Sequence, residues 1–118
     1  MSFDQGGVVL VPFPFTDLTS SKQRPGLILR SDRLEPDLVV CAITSQISLP
    51  LSAAEFVVPN QELAYWRLPK PSKVKLAKLF TVHPSLIRKK IGYVPVRTLE
   101  RVLEQVRALF ELESSGQF

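Results

Sequence analysis

Two short polar clusters lie beside apolar segments of the N-terminal half, and both carry groups that bind phosphate well. The first is Lys22-Gln-Arg-Pro, which contains Arg24, and the second consists of Thr44, Ser45 and Gln46. A guanidinium offers a planar fork of donors that matches two phosphate oxygens, and hydroxyl and amide groups add further donors. The clusters predict a phosphate site if their strands are neighbours. Otherwise Arg24 is a surface ion-pair residue and Thr44 ends a strand.

Apolar runs separated by prolines and polar loops predict the elements that hold these clusters. The predicted strands are Gly7–Phe13, Gly26–Leu29, Leu38–Thr44, Glu55–Val58 and Ser72–Phe80, and Ile91–Pro95 is predicted to be a last short strand or a turn. After Thr98, a predicted N-cap, apolar residues recur at helical spacing as far as Phe110. The 118 residues, 45% of them hydrophobic, suit one domain over 1–118. We therefore expect a mainly β fold, a small curled barrel with one C-terminal helix.

The strand that follows Ser72 shows a change of parity. Val74 and Leu76 fall on one face, with Lys73 and Lys75 on the other, but Lys78 lies where an apolar residue is due. A β-bulge near Ala77 reconciles the two halves. The alternation therefore predicts an exposed row of lysines on a bent strand.

Positive charge is concentrated in the second half of the chain. Residues 1–60 carry four Lys or Arg against six Asp or Glu, whereas residues 61–118 carry eleven against five. The stretch from Arg67 to Arg97 holds nine basic residues and no acidic one. Such a stretch is typical of a polyanion-binding face, and the alternative is a solvated face.

The sequence also excludes several kinds of site. Cys41 and His83 are the only cysteine and histidine, so neither an intrachain disulfide nor a protein-only zinc site can form. We expect no metal and no cofactor. The N-terminus lacks a basic leader and an apolar signal core, which indicates a cytoplasmic protein without a membrane partner.

Five blocks of sequence resemble the PemK/MazF toxin family. They are Gly7-Val-Val-Leu-Val-Pro-Phe-Pro-Phe-Thr-Asp-Leu, Lys22-Gln-Arg-Pro-Gly-Leu-Ile-Leu, Ala42-Ile-Thr-Ser-Gln-Ile, Lys75-Leu-Ala-Lys-Leu-Phe-Thr-Val and Ile87-Arg-Lys-Lys-Ile-Gly. The blocks occur in the family's order and span nearly the whole chain. The resemblance implies a Src-homology-3-like barrel, a homodimer, and the toxin of a type II toxin–antitoxin pair.

The resemblance further implies a metal-independent endoribonuclease that acts on single-stranded mRNA. The catalytic Arg and Thr of the family match Arg24 and Thr44. The implied partner is an acidic, largely disordered antitoxin tail that folds onto the basic groove.

Metal-free RNA cleavage uses the 2′-hydroxyl to attack the adjacent phosphorus, so negative charge grows on the non-bridging oxygens. We expect Arg24 to stabilise that charge. Thr44 is expected to bind the same phosphate or orient the hydroxyl, and Ser45 and Gln46 to assist. The expected RNA contacts are Lys22, Phe15, Lys73, Lys75 and Lys78. Phe15, and likewise Tyr65 and Trp66, either stack on bases or pack in the core.

One block departs from several relatives, which have Arg-Thr-Ile-Asp where this chain has Phe80-Thr-Val-His. A second Arg is therefore absent. His83 is either an acid–base group or a surface capping residue. Two alternative functions remain at this point: an RNA- or protein-binding module without catalysis, and a gyrase-poisoning protein of the same fold, which would not need Arg24 and Thr44.

Overall fold

The fold is built on one antiparallel sheet of six strands, in a computed structural model that describes residues 3–12 and 23–111. The strands are β1 (Gly7–Pro12), β2 (Gln23–Arg30), β3 (Leu38–Thr44), β4 (Glu55–Val57), β5 (Lys73–Val82) and β6 (Lys89–Tyr93). Their order across the sheet is β4-β5-β3-β2-β1-β6. The mainly β prediction is confirmed. Within the described ranges, however, the sheet stays open with β4 and β6 at its edges, so the expected barrel is not closed.

The adjacent strands β1, β2 and β3 carry apolar side chains on both faces of the sheet, as their continuous hydrophobic runs predict. Neighbours on β1 show this, because Val8 packs into one buried cluster and Val9 into another on the opposite face. The larger cluster includes the fully buried Trp66 of helix α1 (Leu63–Trp66) and Val102 of helix α2 (Val96–Leu109). Helices therefore cover one face of the sheet.

Helix α2 begins two residues before the predicted N-cap. Pro95 occupies the cap position, and Thr98 is buried inside the first turn. The Thr98 hydroxyl donates to a carboxylate oxygen of Glu62 at 2.5 Å, while the other oxygen accepts from the Trp66 indole at 3.1 Å. The N-cap prediction was wrong because Thr98 bonds a residue that is distant in sequence. Glu62 consequently ties α1 to α2.

The predicted bulge on β5 is confirmed. Cys41 and Ala42 are consecutive on β3, yet they lie opposite Leu79 and Lys75 on β5. Residues 76–78 are therefore extra in β5 and bend that strand around its neighbour.

In the described ranges, no helix has the length and apolar character needed to cross a membrane.

Candidate active site

The two polar clusters meet because β2 and β3 are neighbours. The strands pair antiparallel with Gly26 opposite Ala42, and the same register two residues further on sets Arg24 level with Thr44. Directly opposed residues project from the same face of a sheet with Cβ atoms about 5 Å apart. The condition for a shared site, that the two strands be neighbours, is thus met.

Both residues line a cleft of about 580 Å³ at this end of the sheet. Its lining comprises Arg24, Pro25, Ala42, Ile43, Thr44, Ser45, Gln46, Leu68, Pro69, Lys70, Ser72, Lys75 and Lys78. Four of these described lining residues are basic and none is acidic. A concave surface with one sign of charge concentrates anions of the opposite sign. The cleft is therefore suited to a polyanion.

Arg24 and Thr44 offer hydrogen-bond donors to a ligand in the cleft. The Thr44 hydroxyl oxygen accepts the backbone N–H of Gln46 at 3.1 Å, which leaves the hydroxyl proton free to donate. Arg24 is exposed, and its guanidinium forms no hydrogen bond or ion pair with any residue in the described ranges. Both groups can therefore donate to one phosphate.

The segment of residues 68–72, in which two prolines flank Lys70, forms a ridge that is the second wall of the cleft. Leu68 anchors one end, since its side chain is buried and its N–H donates to the Leu63 carbonyl at 3.1 Å. Ser72 anchors the other, since it is buried and its hydroxyl donates to the Lys70 carbonyl at 2.8 Å. Sequence reasoning did not single out Lys70 as a site residue. The signal for it was a lysine between two prolines, Pro69 and Pro71, which fix the backbone.

The predicted exposure of Lys73 is wrong, although Lys75 and Lys78 do line the cleft. The Lys73 side chain is only 5% exposed, and its Nζ lies 2.6 Å from a carboxylate oxygen of Glu55. The reason is that β4 pairs with β5 and covers it, which alternation within β5 cannot reveal. Lys73 is therefore a structural ion-pair residue.

The same pair predicts a pH dependence of stability. The hydrogen bond from Lys73, followed by that from the Ser52 N–H, holds the pKa of Glu55 below its ordinary 4.5. A lowered folded-state pKa stabilises the fold above pH 4.5, and this contribution is lost as the pH falls through the folded-state pKa. We expect Glu55→Gln to lower the Tm at pH 7, with the difference from wild type shrinking as the pH falls below 4.5 and through the lowered folded-state pKa of Glu55. Thermal melts across this range measure it. A Tm difference that is independent of pH would contradict the assignment.

His83 lies at the opposite end of the sheet from the cleft. It follows Val82, whose partner Leu38 is six residues from Thr44 on β3, or about 20 Å at the usual rise. Its Nδ1 accepts the Ser85 N–H at 3.1 Å and caps a 3-10 turn, Pro84–Leu86. The structure thus does not bring His83 to Arg24 and Thr44, and it favours the capping alternative.

The sequence also singled out Phe15, Lys22, Phe80 and Cys41. Phe15 and Lys22 lie outside the described residues. Phe80, at the position of the second family Arg, is half-buried against the smaller apolar cluster. Cys41 is fully buried, and desolvation raises the pKa of its thiol to about 12, so the thiol is protonated and inert at neutral pH.

A comparison with family models places the chain. Residues 4–110 match the family described as PemK-like, MazF-like toxin of type II toxin-antitoxin system. The chain belongs to this family. No curated protein matches it in sequence. The PemK/MazF signature nevertheless covers nearly all of the chain, including both strands that carry Arg24 and Thr44.

Solved structures with the same fold support the family architecture. MazF from Deinococcus radiodurans is 18% identical, with a TM-score of 0.71 over 95% of this chain and 99% of that one. The Mycobacterium tuberculosis toxin MazF-mt6 is 22% identical, with a TM-score of 0.69 over 91% and 98%. A mycobacterial endoribonuclease solved with its cognate antitoxin is 16% identical, with a TM-score of 0.72 over 95% and 98%. At these identities the likeness concerns the fold.

Proposed function

We propose that this chain is the endoribonuclease toxin of its toxin–antitoxin pair and cleaves single-stranded mRNA in the cleft lined by Arg24 and Thr44. The observation that carries the proposal is the register of β2 and β3, which sets these two residues side by side. Family membership supplies the expectation of a toxin, and the basic lining supplies the affinity for RNA.

The proposed reaction is an intramolecular transfer at phosphorus. The 2′-oxygen bonds to the adjacent phosphorus and loses its proton, while the bond from phosphorus to the 5′-oxygen breaks and that oxygen gains a proton. The products are a 2′,3′-cyclic phosphate and a 5′-hydroxyl end. Arg24 stabilises the charge that grows on the non-bridging oxygens. A guanidinium stays protonated in proteins, so its role is electrostatic.

The other cleft residues hold the substrate in place. Thr44 donates its free hydroxyl proton to the same phosphate and thereby fixes the reacting bond relative to Arg24. Lys70 and Lys75 contact flanking phosphates from the two walls, and Lys78 adds a further positive charge. Ser45 and Gln46 offer hydrogen-bonding groups at the mouth of the cleft. Catalysis by positioning and electrostatics, without a strong base, implies a modest rate.

The purified chain is tested with end-labelled single-stranded RNA in EDTA. Cleavage should proceed and leave cyclic-phosphate and 5′-hydroxyl ends, which are distinguished by phosphatase and kinase treatment. RNA binding without cleavage would contradict the proposal and favour a binding module. Cleavage that leaves a 5′-phosphate would contradict the 2′-hydroxyl route.

Substitution of Thr44 tests the donor role. We expect Thr44→Val, which keeps the shape and removes the hydroxyl, to slow cleavage by about 10- to 100-fold, because a hydrogen bond to a charged group contributes about 1.5–3 kcal/mol. Thr44→Ser keeps the hydroxyl and should retain most of the activity. Single-turnover cleavage rates measure both. If Thr44→Val cleaved as fast as Thr44→Ser, the hydroxyl would have no catalytic role.

We propose an acidic antitoxin segment as the protein partner, a homodimer as the active form and the cytoplasm as its location. MazF from Deinococcus radiodurans has been solved with MazE, as has the mycobacterial endoribonuclease with its antitoxin. In this chain, the four cleft cations suit a competing carboxylate-rich segment. Growth arrest on expression, relieved by co-expression of the adjacent antitoxin gene, tests this pairing.

A further inference from the structure

Two tyrosines form an exposed aromatic pair that the cleft does not use. Tyr65 of α1 and Tyr93 of β6 are 50% and 51% exposed. Their ring centroids lie 5.7 Å apart with a tilt of 37°. Trp66, which follows Tyr65 in the chain, is fully buried. Of these two adjacent aromatic residues, only Tyr65 is therefore open to a ligand.

A bulge on β6 brings Lys90 to the same face as Tyr93. Tyr93 lies opposite Gly7, and Lys90 opposite Val9, with a register shift between them. Gly7 and Val9 are two apart on β1 and share a face, so their partners share it too. Gly7 has no side chain, and the Lys90 Cε lies 3.7 Å from the position that a Cβ would occupy there. The Lys90 side chain therefore extends across Gly7 on the face that Tyr93 occupies.

Arg24 projects from this face as well, because its partner Val11 is two residues beyond Val9 on β1. Two strand spacings and four residues separate Arg24 from Tyr93, which corresponds to about 16 Å. The tyrosines and the cleft are thus separate sites that one extended polymer can reach together.

Exposed basic residues lie near Tyr93 at the edge of the sheet. Arg88, Lys89 and Lys90 are consecutive and exposed at the free edge of the sheet, and no acidic residue occurs between Arg67 and Leu99. Exposed rings beside cations are the combination with which proteins bind single-stranded nucleic acid, since bases stack on the rings and phosphates contact the cations. Duplex bases are already stacked, and an acidic peptide needs the cations but not the rings.

We propose that Tyr65, Tyr93 and Lys90 form a second RNA-binding site, which holds unpaired bases flanking the segment in the cleft. The proposal rests on the proposed function for the nature of the polymer. Its consequence is that affinity depends on substrate length, because a short RNA fills the cleft alone, whereas a longer one also reaches the tyrosines.

The test measures binding of fluorescent 2′-O-methyl RNA, which lacks the attacking hydroxyl, at lengths of about 4 and about 16 nucleotides, the range of site sizes of small single-strand binders. The double variant Tyr65→Ala/Tyr93→Ala should bind the long RNA about tenfold more weakly and the short RNA as wild type does. The matched variant Tyr65→Phe/Tyr93→Phe keeps both rings and should bind as wild type does. For the long RNA, Lys90→Gln should reduce the slope of log affinity against log salt concentration by about 1, which corresponds to one phosphate contact. Thermal melts check that each variant is folded.

Three results would overturn the second site: unchanged binding of the long RNA by the alanine variant, equal loss for both lengths, or equal loss in the phenylalanine variant. If the alanine variant instead lost only affinity for a poly-glutamate peptide, the surface would be a protein-docking face. The RNA in these assays cannot be cleaved. A wild-type chain that fails to cleave RNA in EDTA would therefore contradict the proposed function without affecting this test.

Discussion

Replacing Arg24 by alanine is expected to slow RNA cleavage by about 10²- to 10³-fold, the loss seen when one preorganised donor to a developing oxyanion is removed. The register of β2 and β3, continued two residues beyond Gly26 and Ala42, sets Arg24 level with Thr44, and both line the cleft. The Arg24 guanidinium forms no ion pair within residues 3–12 and 23–111. Its donors are therefore available to the phosphate. Removing them should leave the charge of the transition state without its main partner. Single-turnover cleavage of labelled RNA in EDTA measures the change.

Two further substitutions make this test specific. Arg24→Lys keeps the charge but loses the planar fork, so it should recover only part of the rate. Arg30→Ala removes an arginine from the other end of the same strand, where its guanidinium lies 2.6 Å from Asp32, and should leave cleavage unchanged. If Arg24→Ala cleaved as fast as Arg30→Ala, the electrostatic role of Arg24 would be refuted.

Local sequence patterns predicted the parts of the fold that depend on neighbours along the chain. The range Leu38–Thr44 was predicted as a strand and is β3, because seven mostly apolar residues between polar turns suit a strand buried on both faces. The bulge at residues 76–78 was predicted because the parity of burial in a strand is fixed by its twofold period. Whether Arg24 and Thr44 are neighbours was left open by the sequence, and the pairing of β2 with β3 meets that condition.

The features that local patterns could not predict depend on distant partners. Alternation placed Lys73 outside, but its position is determined by Glu55 on β4, a strand that local alternation cannot pair with β5. Thr98 has the residue type of an N-cap, yet its hydroxyl bonds Glu62, 36 residues away. Lys70 reaches the cleft because buried residues anchor both ends of its ridge. For Lys73 and Thr98, a tertiary contact overrides the local preference.

The structure also divides the basic stretch by location. Lys70, Lys75 and Lys78 line the cleft, Lys73 is neutralised in the interior, and Arg88 to Lys90 lie at the other edge of the sheet. One run of charge in the sequence therefore supplies two separate surfaces. Under the proposed function, an RNA that contacts both surfaces crosses the sheet from the cleft, which includes Arg24, to β6.

The second large effect is expected at Gly92, where alanine should destabilise the fold by at least about 2 kcal/mol. Gly92 lies on β6, directly under α1, and a Cβ there would lie 2.5 Å from the backbone carbonyl oxygens of both Tyr65 and Trp66. Replacing glycine in a strand by alanine otherwise favours folding by restricting the unfolded chain. The contact decides the sign, because backbone atoms cannot turn aside as a flexible side chain can.

Gly7→Ala on the neighbouring strand is the matched control for Gly92→Ala. A Cβ at Gly7 would meet its nearest backbone oxygen, that of Asp4, at 3.1 Å, so a smaller loss is expected. Urea unfolding of both variants gives their free energies of unfolding, and equal values would contradict the argument.

Gly92→Ala should also displace α1, and this displacement should reach the cleft. The reason is that the Leu68 N–H donates to the Leu63 carbonyl of α1, and Leu68 anchors the ridge that carries Lys70. Gly92→Ala should therefore weaken RNA binding even at temperatures where it remains folded, whereas Gly7→Ala should leave this wall in place.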